Sequence, residues 1–268
     1  MRAVIQAGGV GSRLRPYTTV VPKPLMPVGD MPILEVVIRQ LVAHGFPRIT
    51  ITVGHLGHLI RAFFADGSAF GASIDYVIED RPLGTIGALR RVRGLDRPFL
   101  VMNGDLLTDI NYRRFFQQHL GSGAAMTVSV YTKAVPISLG VIEYDGRNRI
   151  TGFAEKPVRT FSVSMGVYAM NPEMLGHIPA DLQFGFDDLM ARVLERKLPV
   201  RVAQFEGLWL DIGRHEDYEE ATRVFQENRH RFLPNGTVRQ AHRALPSTGS
   251  GRELAERSLS KGKGRRRA

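Results

Sequence analysis

A short apolar run, Arg2-Ala-Val-Ile-Gln6, leads straight into Ala7-Gly-Gly-Val-Gly-Ser-Arg-Leu-Arg-Pro16. A strand that ends in a glycine-rich turn is the start of an α/β unit, and the turn faces the sheet edge where such proteins bind ligands. Gly8, Gly9 and Gly11 let the backbone take conformations closed to other residues and approach a ligand without a Cβ between them. Successive N–H groups in such a turn form a concavity for anionic oxygens. Arg13 adds fixed positive charge, as does Lys23 in the following Pro22-Lys-Pro-Leu25. The pattern predicts a site for a nucleoside triphosphate.

Two other phosphate loops do not fit. A Walker loop requires Gly-Lys-Ser/Thr after four intervening residues, and no such run follows Gly8. The dinucleotide fingerprint requires a third glycine where this chain has Leu14.

Together, Ala7–Pro16 and Pro22-Lys-Pro-Leu-Met-Pro-Val28 closely resemble the signature of the sugar-1-phosphate nucleotidyltransferases, the nucleotide-sugar pyrophosphorylases. Later motifs follow in that family's order: Pro82-Leu-Gly-Thr85, Asn103-Gly-Asp105, Gly152-Phe-Ala-Glu-Lys-Pro157 and Trp209-Leu-Asp-Ile-Gly213. The resemblance runs over residues 1–225 and is nearest to mannose-1-phosphate guanylyltransferase-like members. It implies a Rossmann-like mixed α/β sheet of the nucleotide-diphospho-sugar transferase type, Mg²⁺ dependence, and release of pyrophosphate. No hexapeptide array follows Leu233, so no C-terminal β-helix is expected.

The chain has 268 residues and no cysteine, which excludes disulfides, thiolate nucleophiles and cysteine metal sites. That composition fits a reducing cytoplasm. The apolar run Ala3–Ile5 is too short for a signal-peptide core, and no stretch is long enough to span a membrane. A net charge of +10 points at first to nucleic acid, but its distribution argues otherwise. From Arg239 onward nine basic residues face only Glu253 and Glu256, which gives the tail +7 and the body +3. Pro246-Ser-Thr-Gly-Ser-Gly251 is linker-like, and Phe232 is the last aromatic residue, so stacking platforms for bases are missing. The expected division is a catalytic domain at 1–232 and a basic, disordered tail at 233–268. No specific nucleic acid and no membrane partner is expected; a homo-oligomer stays open.

β-rich runs alternate with amphipathic stretches. Strands are predicted at 2–6, 49–53, 73–78, 99–103, 125–131, 139–143, 163–170 and 200–204. Helices are predicted at 32–44, 56–65, 111–120, 186–197 and 215–228; Ile33, Val36, Val37, Gln40 and Leu41 share one face of the first. The region 125–206 is the more β-rich and is expected to form the acceptor-binding lobe.

The implied reaction is attack by a sugar-1-phosphate oxygen on the α-phosphorus of a nucleotide. A phosphate monoester is already anionic at neutral pH, so the barrier lies in bringing polyanions together rather than in removing a proton. Asp105 ends the strand-like Phe99–Asp105 run and so stands at the carboxyl edge of the sheet. The resemblance makes Asp105 and Asp211 the Mg²⁺ ligands, and Mg²⁺ commonly takes one or two carboxylates plus phosphate oxygens and water. It also places Arg13, Lys23 and Lys156 in the catalytic set, Lys156 on the sugar phosphate and Glu155 on sugar hydroxyls. Gln6, Gly8, Gly9, Gly11, Ser12, Glu79 and Gly84 fall to the nucleotide. Gly140 and Ser164 join Glu155 and Lys156 on the acceptor side.

Glu79 bears on the base. It stands where thymidylyl- and some uridylyltransferases have glutamine, and a carboxylate only accepts hydrogen bonds. Guanine offers a ring N–H beside an exocyclic amine; uracil and thymine offer one N–H between two carbonyls. GTP is therefore favoured. Gln6, where the family usually has leucine, adds a second polar group for the base. Ser164-Met-Gly166 occupies the place of Asn-Ala-Gly in many mannose-1-phosphate enzymes, and the exchange points to a less polar or differently shaped ring. Mannose-1-phosphate is the default acceptor. A heptose, a cyclitol phosphate such as valienol 1-phosphate, or UTP or dTTP with glucose-1-phosphate are the alternatives. A metal-dependent glycosyltransferase is disfavoured because Asp105-Leu-Leu-Thr-Asp109 is not Asp-x-Asp. A non-catalytic sugar-nucleotide sensor is disfavoured by the intact Arg13, Lys23, Asp105, Lys156 and Asp211.

Overall fold

The computed structural model describes residues 1–233. The tail assigned to 233–268 lies outside them except for Leu233, which is itself buried, so the core reaches one residue past the expected boundary.

Thirteen strands and seven helices follow one another along the described chain. The strands are β1 (Arg2–Ala7), β2 (Pro27–Val28), β3 (Met31–Pro32), β4 (Arg48–Val53), β5 (Ser73–Ile78), β6 (Phe99–Asn103), β7 (Leu106–Thr108), β8 (Met126–Pro136), β9 (Val141–Tyr144), β10 (Ile150–Ala154), β11 (Val158–Met170), β12 (Val200–Phe205) and β13 (Trp209–Asp211). The helices are α1 (Ile33–Ala43), α2 (Gly57–Phe64), α3 (Gly84–Gly87), α4 (Tyr112–Leu120), α5 (Phe186–Glu195), α6 (His215–Glu227) and α7 (Arg229–Phe232). Seven strands form one mixed sheet in the order β12-β8-β11-β6-β1-β4-β5. Within it β11 is the strand that runs against its neighbours, β8 and β6; the other pairs are parallel.

Alternation along β1 explains the layering. Ala3, Ile5 and Ala7 enter one core with α1, α2 and α4, while Val4 enters a second with Leu189 and Val193 of α5. The predicted strands and long helices are all present, with shifted ends. β11 starts five residues earlier than expected, and β8 runs to Pro136 rather than Tyr131. Gln40 on the apolar face of α1 is buried and donates from Nε2 to the Thr108 carbonyl at 2.7 Å, which ties α1 to β7.

A third cluster binds the first and last described segments together. Leu14 from the glycine loop, Met26, Ile33, Leu107 and Ile212 pack with Ala221, Val224 and Phe225 of α6 and with Phe232. The loop thus has an apolar floor supplied by residues two hundred positions away. No helix of the described residues is long and apolar enough to cross a membrane.

Candidate active site

β1 ends beside Asn103, with Gln6 and Asn103 in register, and the Gly104 N–H donates to the Gln6 carbonyl at 2.9 Å. The glycine loop and the Asn103-Gly-Asp105 turn therefore leave the sheet side by side. Gly11 adopts φ +63°, and its carbonyl accepts the Thr18 hydroxyl at 2.8 Å. Ser12–Leu14 then makes one 3-10 turn, which buries Leu14 and leaves Arg13 outward. Gln6, Gly9, Gly11, Ser12, Arg13, Lys23 and Asp105 line one pocket of about 220 Å³. Those seven sequence-predicted residues are brought together.

Lys23 is buried, and its Nζ meets Asp105 Oδ2 at 2.5 Å. The other oxygen of Asp105, Oδ1, is buried and has no hydrogen-bond partner. Asp211 comes alongside because β13 pairs antiparallel with β7 and sets Asp211 opposite Leu106, next to Asp105. Its carboxyl is pushed above the usual range by loss of solvent and by the Asp105 charge, against the pull of Lys23 and Arg13. Arg13 reaches this corner too: a Cβ on Gly213 would stand 3.5 Å from its Nη1. Two carboxylates, one with an unpartnered buried oxygen and one reluctant to ionise beside it, fit a divalent cation. Among the described residues no cluster of three or more acidic or histidine side chains could hold a metal alone.

The two side-chain atoms of Gln6, Oε1 and Nε2, are also buried without a partner. An amide left so at a pocket wall is costly unless a ligand satisfies it. Glu79 packs against Gly8, in the space that a Cβ there would need. Its Oε2 accepts the Leu83 N–H at 3.1 Å, which caps the turn before Gly84. Burial raises its pKa, opposed by that N–H, the Thr52 hydroxyl and Arg91.

Gly84 has φ +78°, and a Cβ there would lie 2.6 Å from the Phe184 carbonyl oxygen. The N–H groups of Ile86 and Gly87 donate to that same oxygen, so the loop is clamped to the segment before α5. Gly84→Ala is expected to lower the melting temperature by roughly 2–10 °C, from about 1–3 kcal/mol of backbone strain. Calorimetry checks this; an unchanged melting temperature would mean that the clamp is not under constraint.

The acceptor-side residues form separate groups. Gly140 lies against Phe153 and Glu155, where a Cβ would be 2.8 Å from Phe153 Cε2 and 3.2 Å from Glu155 Oε2. Lys156, in the left-handed region at φ 44°, stands 4.0 Å from Glu155, and both side chains are exposed. Ser164 sits apart from them. Its hydroxyl lies 3.2 Å from the Tyr168 hydroxyl, and it borders an apolar cavity of about 520 Å³ with Phe186, Met190 and Leu194. Met165 turns fully into the core, with its carbonyl accepting the Trp209 indole N–H at 3.1 Å. Its thioether therefore does not face a ligand, and the inference of a less polar ring loses its main support. The pairing of β11 with β8 shifts between Ser164 and Tyr168, where Gly166 takes φ +74°, and Met165, Val167 and Ala169 share one face across the shift.

Sequence reasoning passed over Thr18 and Asp109. Asp109 Oδ1 accepts the Leu208 N–H at 2.7 Å and Oδ2 accepts Arg231 Nε at 2.8 Å, which fixes the β7–β13 pair that aligns the two carboxylates. Its place four residues after Asp105, just past β7, was the available signal.

The fold is an α/β sheet at whose edge a glycine loop, Lys23, Arg13 and two carboxylates meet. The chain belongs to the nucleotidyl transferase family, whose model matches residues 2–228. It is 32% identical over 245 residues to a UTP–glucose-1-phosphate uridylyltransferase of Synechocystis, covering 83% of this chain and 63% of that one. It is 31% identical over 242 residues to a mannose-1-phosphate guanyltransferase of Kluyveromyces lactis, covering 84% and 64%. A solved structure of a candidate glucose-1-phosphate thymidylyltransferase from Bacillus anthracis, in complex with a sucrose, superposes with a TM-score of 0.68. It shares 25% identity and covers 84% of this chain and 94% of that one. The chain spans just under two thirds of the length of the two sequence relatives.

Proposed function

We propose that the chain is a Mg²⁺-dependent sugar-1-phosphate nucleotidyltransferase of the cytoplasm that uses GTP and, by default, mannose-1-phosphate. The observation that carries this reading is the meeting of Asp105 and Asp211 beside Lys23 and Arg13 at the glycine loop. An acceptor phosphate oxygen forms a bond to the α-phosphorus while the bond to the β-phosphate bridging oxygen breaks, and pyrophosphate leaves. The loop N–H groups and Arg13 hold the triphosphate and take up charge that moves toward the leaving group. Lys23 holds Asp105 in its rotamer and adds a positive charge to the same corner. Lys156 neutralises the acceptor phosphate, and Glu155 orients its hydroxyls. Asp105 and Asp211 would hold a divalent ion, which would supply charge stabilisation to the phosphates when bound.

The GTP assignment rests on Glu79 and Gln6. The Glu79 carboxylate already accepts from the Leu83 N–H and the Thr52 hydroxyl, and its remaining lone pairs are the acceptors this reading gives to guanine. The unpartnered Gln6 amide, in the glycine-loop pocket, offers a donor and an acceptor of its own. The relatives include both a guanyl- and a uridylyltransferase, so the base is decided by experiment. A screen of pyrophosphate release, with GTP, UTP, dTTP, ATP and CTP against hexose, heptose and cyclitol phosphates, tests the whole reading. No turnover with any pair would reject it.

Glu79→Gln is expected to move preference from GTP toward UTP or dTTP by roughly ten- to a hundredfold, the effect of about 1–3 kcal/mol for one mispaired buried polar group. Glutamine keeps an oxygen for the Leu83 N–H, so the turn and the fold survive the change. Competing GTP and UTP in one vessel reads the ratio directly. A wild type that prefers UTP or dTTP would sink the guanine assignment.

A further inference from the structure

The end of the sheet opposite the glycine loop holds a second cavity. Arg2 and Arg48 are the first residues of β1 and β4, and Phe99 is the first of β6. With the loop at 94–98 they border a pocket of about 380 Å³. That volume falls within the roughly 300–1,000 Å³ of small-molecule sites. β1 is six residues long. At about 3.3 Å per residue, the pocket therefore stands on the order of 15–20 Å from the glycine loop.

Its walls are of two kinds. Leu95 and Phe99 come from one core cluster and Phe116 of α4 from the other, so the pocket opens where the two layers meet at the foot of the sheet. Leu120, at the end of α4, adds an apolar side chain that is 53% exposed. The polar wall is cationic, with Arg2, Arg48 and Arg97 against one carboxylate, Asp96.

Arg2 is already held. It donates to the Gly94 carbonyl at 3.2 Å and to the Thr50 hydroxyl at 2.8 Å, and it lies 3.7 Å from Asp75. The guanidinium groups of Arg48 and Arg97 make no hydrogen bond or ion pair with the described residues. Arg2 and Arg48 are also direct partners in the parallel register, which sets two cations side by side at the start of their strands. Like charges so placed destabilise a sheet, and an anion beside them offsets the repulsion. Guanidinium groups are the side chains best matched to a phosphate, which they grip with two parallel hydrogen bonds.

We propose that this pocket is a second ligand site, for a small molecule that carries a phosphate on an apolar body. Arg48 and Arg97 take the anion, Arg2 stiffens the rim, and the surface of Leu95, Phe116 and Leu120 takes the apolar part. Because the pocket lies at the far end of β1, its ligand binds alongside both substrates rather than in place of either. The proposal does not depend on which substrates those are.

The probe is 1-naphthyl phosphate, an aromatic phosphate monoester. Titrated into the isotope-labelled full chain and followed by amide NMR, it should shift residues 94–97, 99 and 120 saturably, with a dissociation constant below about 1 mM. Arg48→Glu with Arg97→Glu should weaken binding at least about tenfold, through loss of charge-assisted hydrogen bonds. Both side chains are exposed, so the melting temperature should hold. Arg13→Ala, in the glycine loop, should leave binding at these amides unchanged. Inorganic phosphate and 1-naphthol each carry half of the chemistry and should bind at least about tenfold more weakly than the ester. Absence of a saturable shift at these amides would overturn the proposal. So would binding that the double variant leaves intact or that Arg13→Ala abolishes. Inorganic phosphate as tight as the ester would mean an adventitious ion only, and 1-naphthol as tight would mean a simple apolar crevice; either result rejects the site.

Discussion

Asp211→Asn is expected to lower turnover at least about a hundredfold while the protein stays folded, because charge stabilisation through a metal is worth several kcal/mol. The carboxylate sits in β13 beside Asp105, where loss of solvent and the neighbouring charge already raise its pKa. Removing its charge relieves that repulsion, so stability should hold or rise slightly. Asp105→Asn should cost as much in rate but behave differently in folding. Lys23 is only 8% exposed and pairs with Asp105. Breaking a buried pair commonly costs about 3–5 kcal/mol, and the partial exposure of Asp105 holds the loss below that range. Steady-state rates at limiting Mg²⁺ together with melting curves separate the two variants. Wild-type rates in both would refute the metal assignment. Equal melting temperatures would mean that the Lys23 pair does not stabilise the fold.

Arg13→Ala is expected to lower the maximal rate by about 10²–10³, the usual loss of one preorganised electrostatic stabiliser, with little change in acceptor KM. Arg13 lines the glycine-loop pocket and approaches Gly213 in the turn after Asp211. Lys156→Ala should act on the other substrate and raise the acceptor KM. It stands beside Glu155, in a conformation with positive φ that alanine also adopts only under strain. Lys156→Gly relieves that strain and serves as the matched control. Initial rates with each substrate varied in turn give the answer. A Lys156→Ala variant that changed only the nucleotide requirement would show that the site is divided wrongly.

The long elements were legible because their signals are local. Arg2-Ala-Val-Ile-Gln6 is a buried parallel strand and reads as one from its β-branched run, and α1 reads from its spacing of Ile33, Val36, Val37 and Leu41. Leu106–Thr108 and Trp209–Asp211 were missed as strands because three residues carry no period. Their pairing is set by Gln40, Asp109 and Arg231 from elsewhere in the chain. Glycine-loop residues were legible as a group since the turn chemistry sits in consecutive positions. The direction of Met165 follows the same alternation, since Met165, Val167 and Ala169 enter one core together, but reading it from the sequence required knowing which face of β11 is covered. The bond from the Leu83 N–H to Glu79 needed that turn to be seen in space.

The pairing of Leu106 with Asp211 has a consequence for biosynthesis. A nascent chain that has emerged as far as residue 200 contains the glycine loop, Lys23 and Asp105, but neither Asp211 nor the α6 residues that floor the loop beneath Leu14. Such an intermediate could cradle phosphate only weakly and would hold half of the carboxylate pair. The glycine-loop corner is therefore completed late in synthesis, when β13 and α6 close over the first thirty residues, and a ribosome stalled before that point displays a chain whose candidate site is still half built.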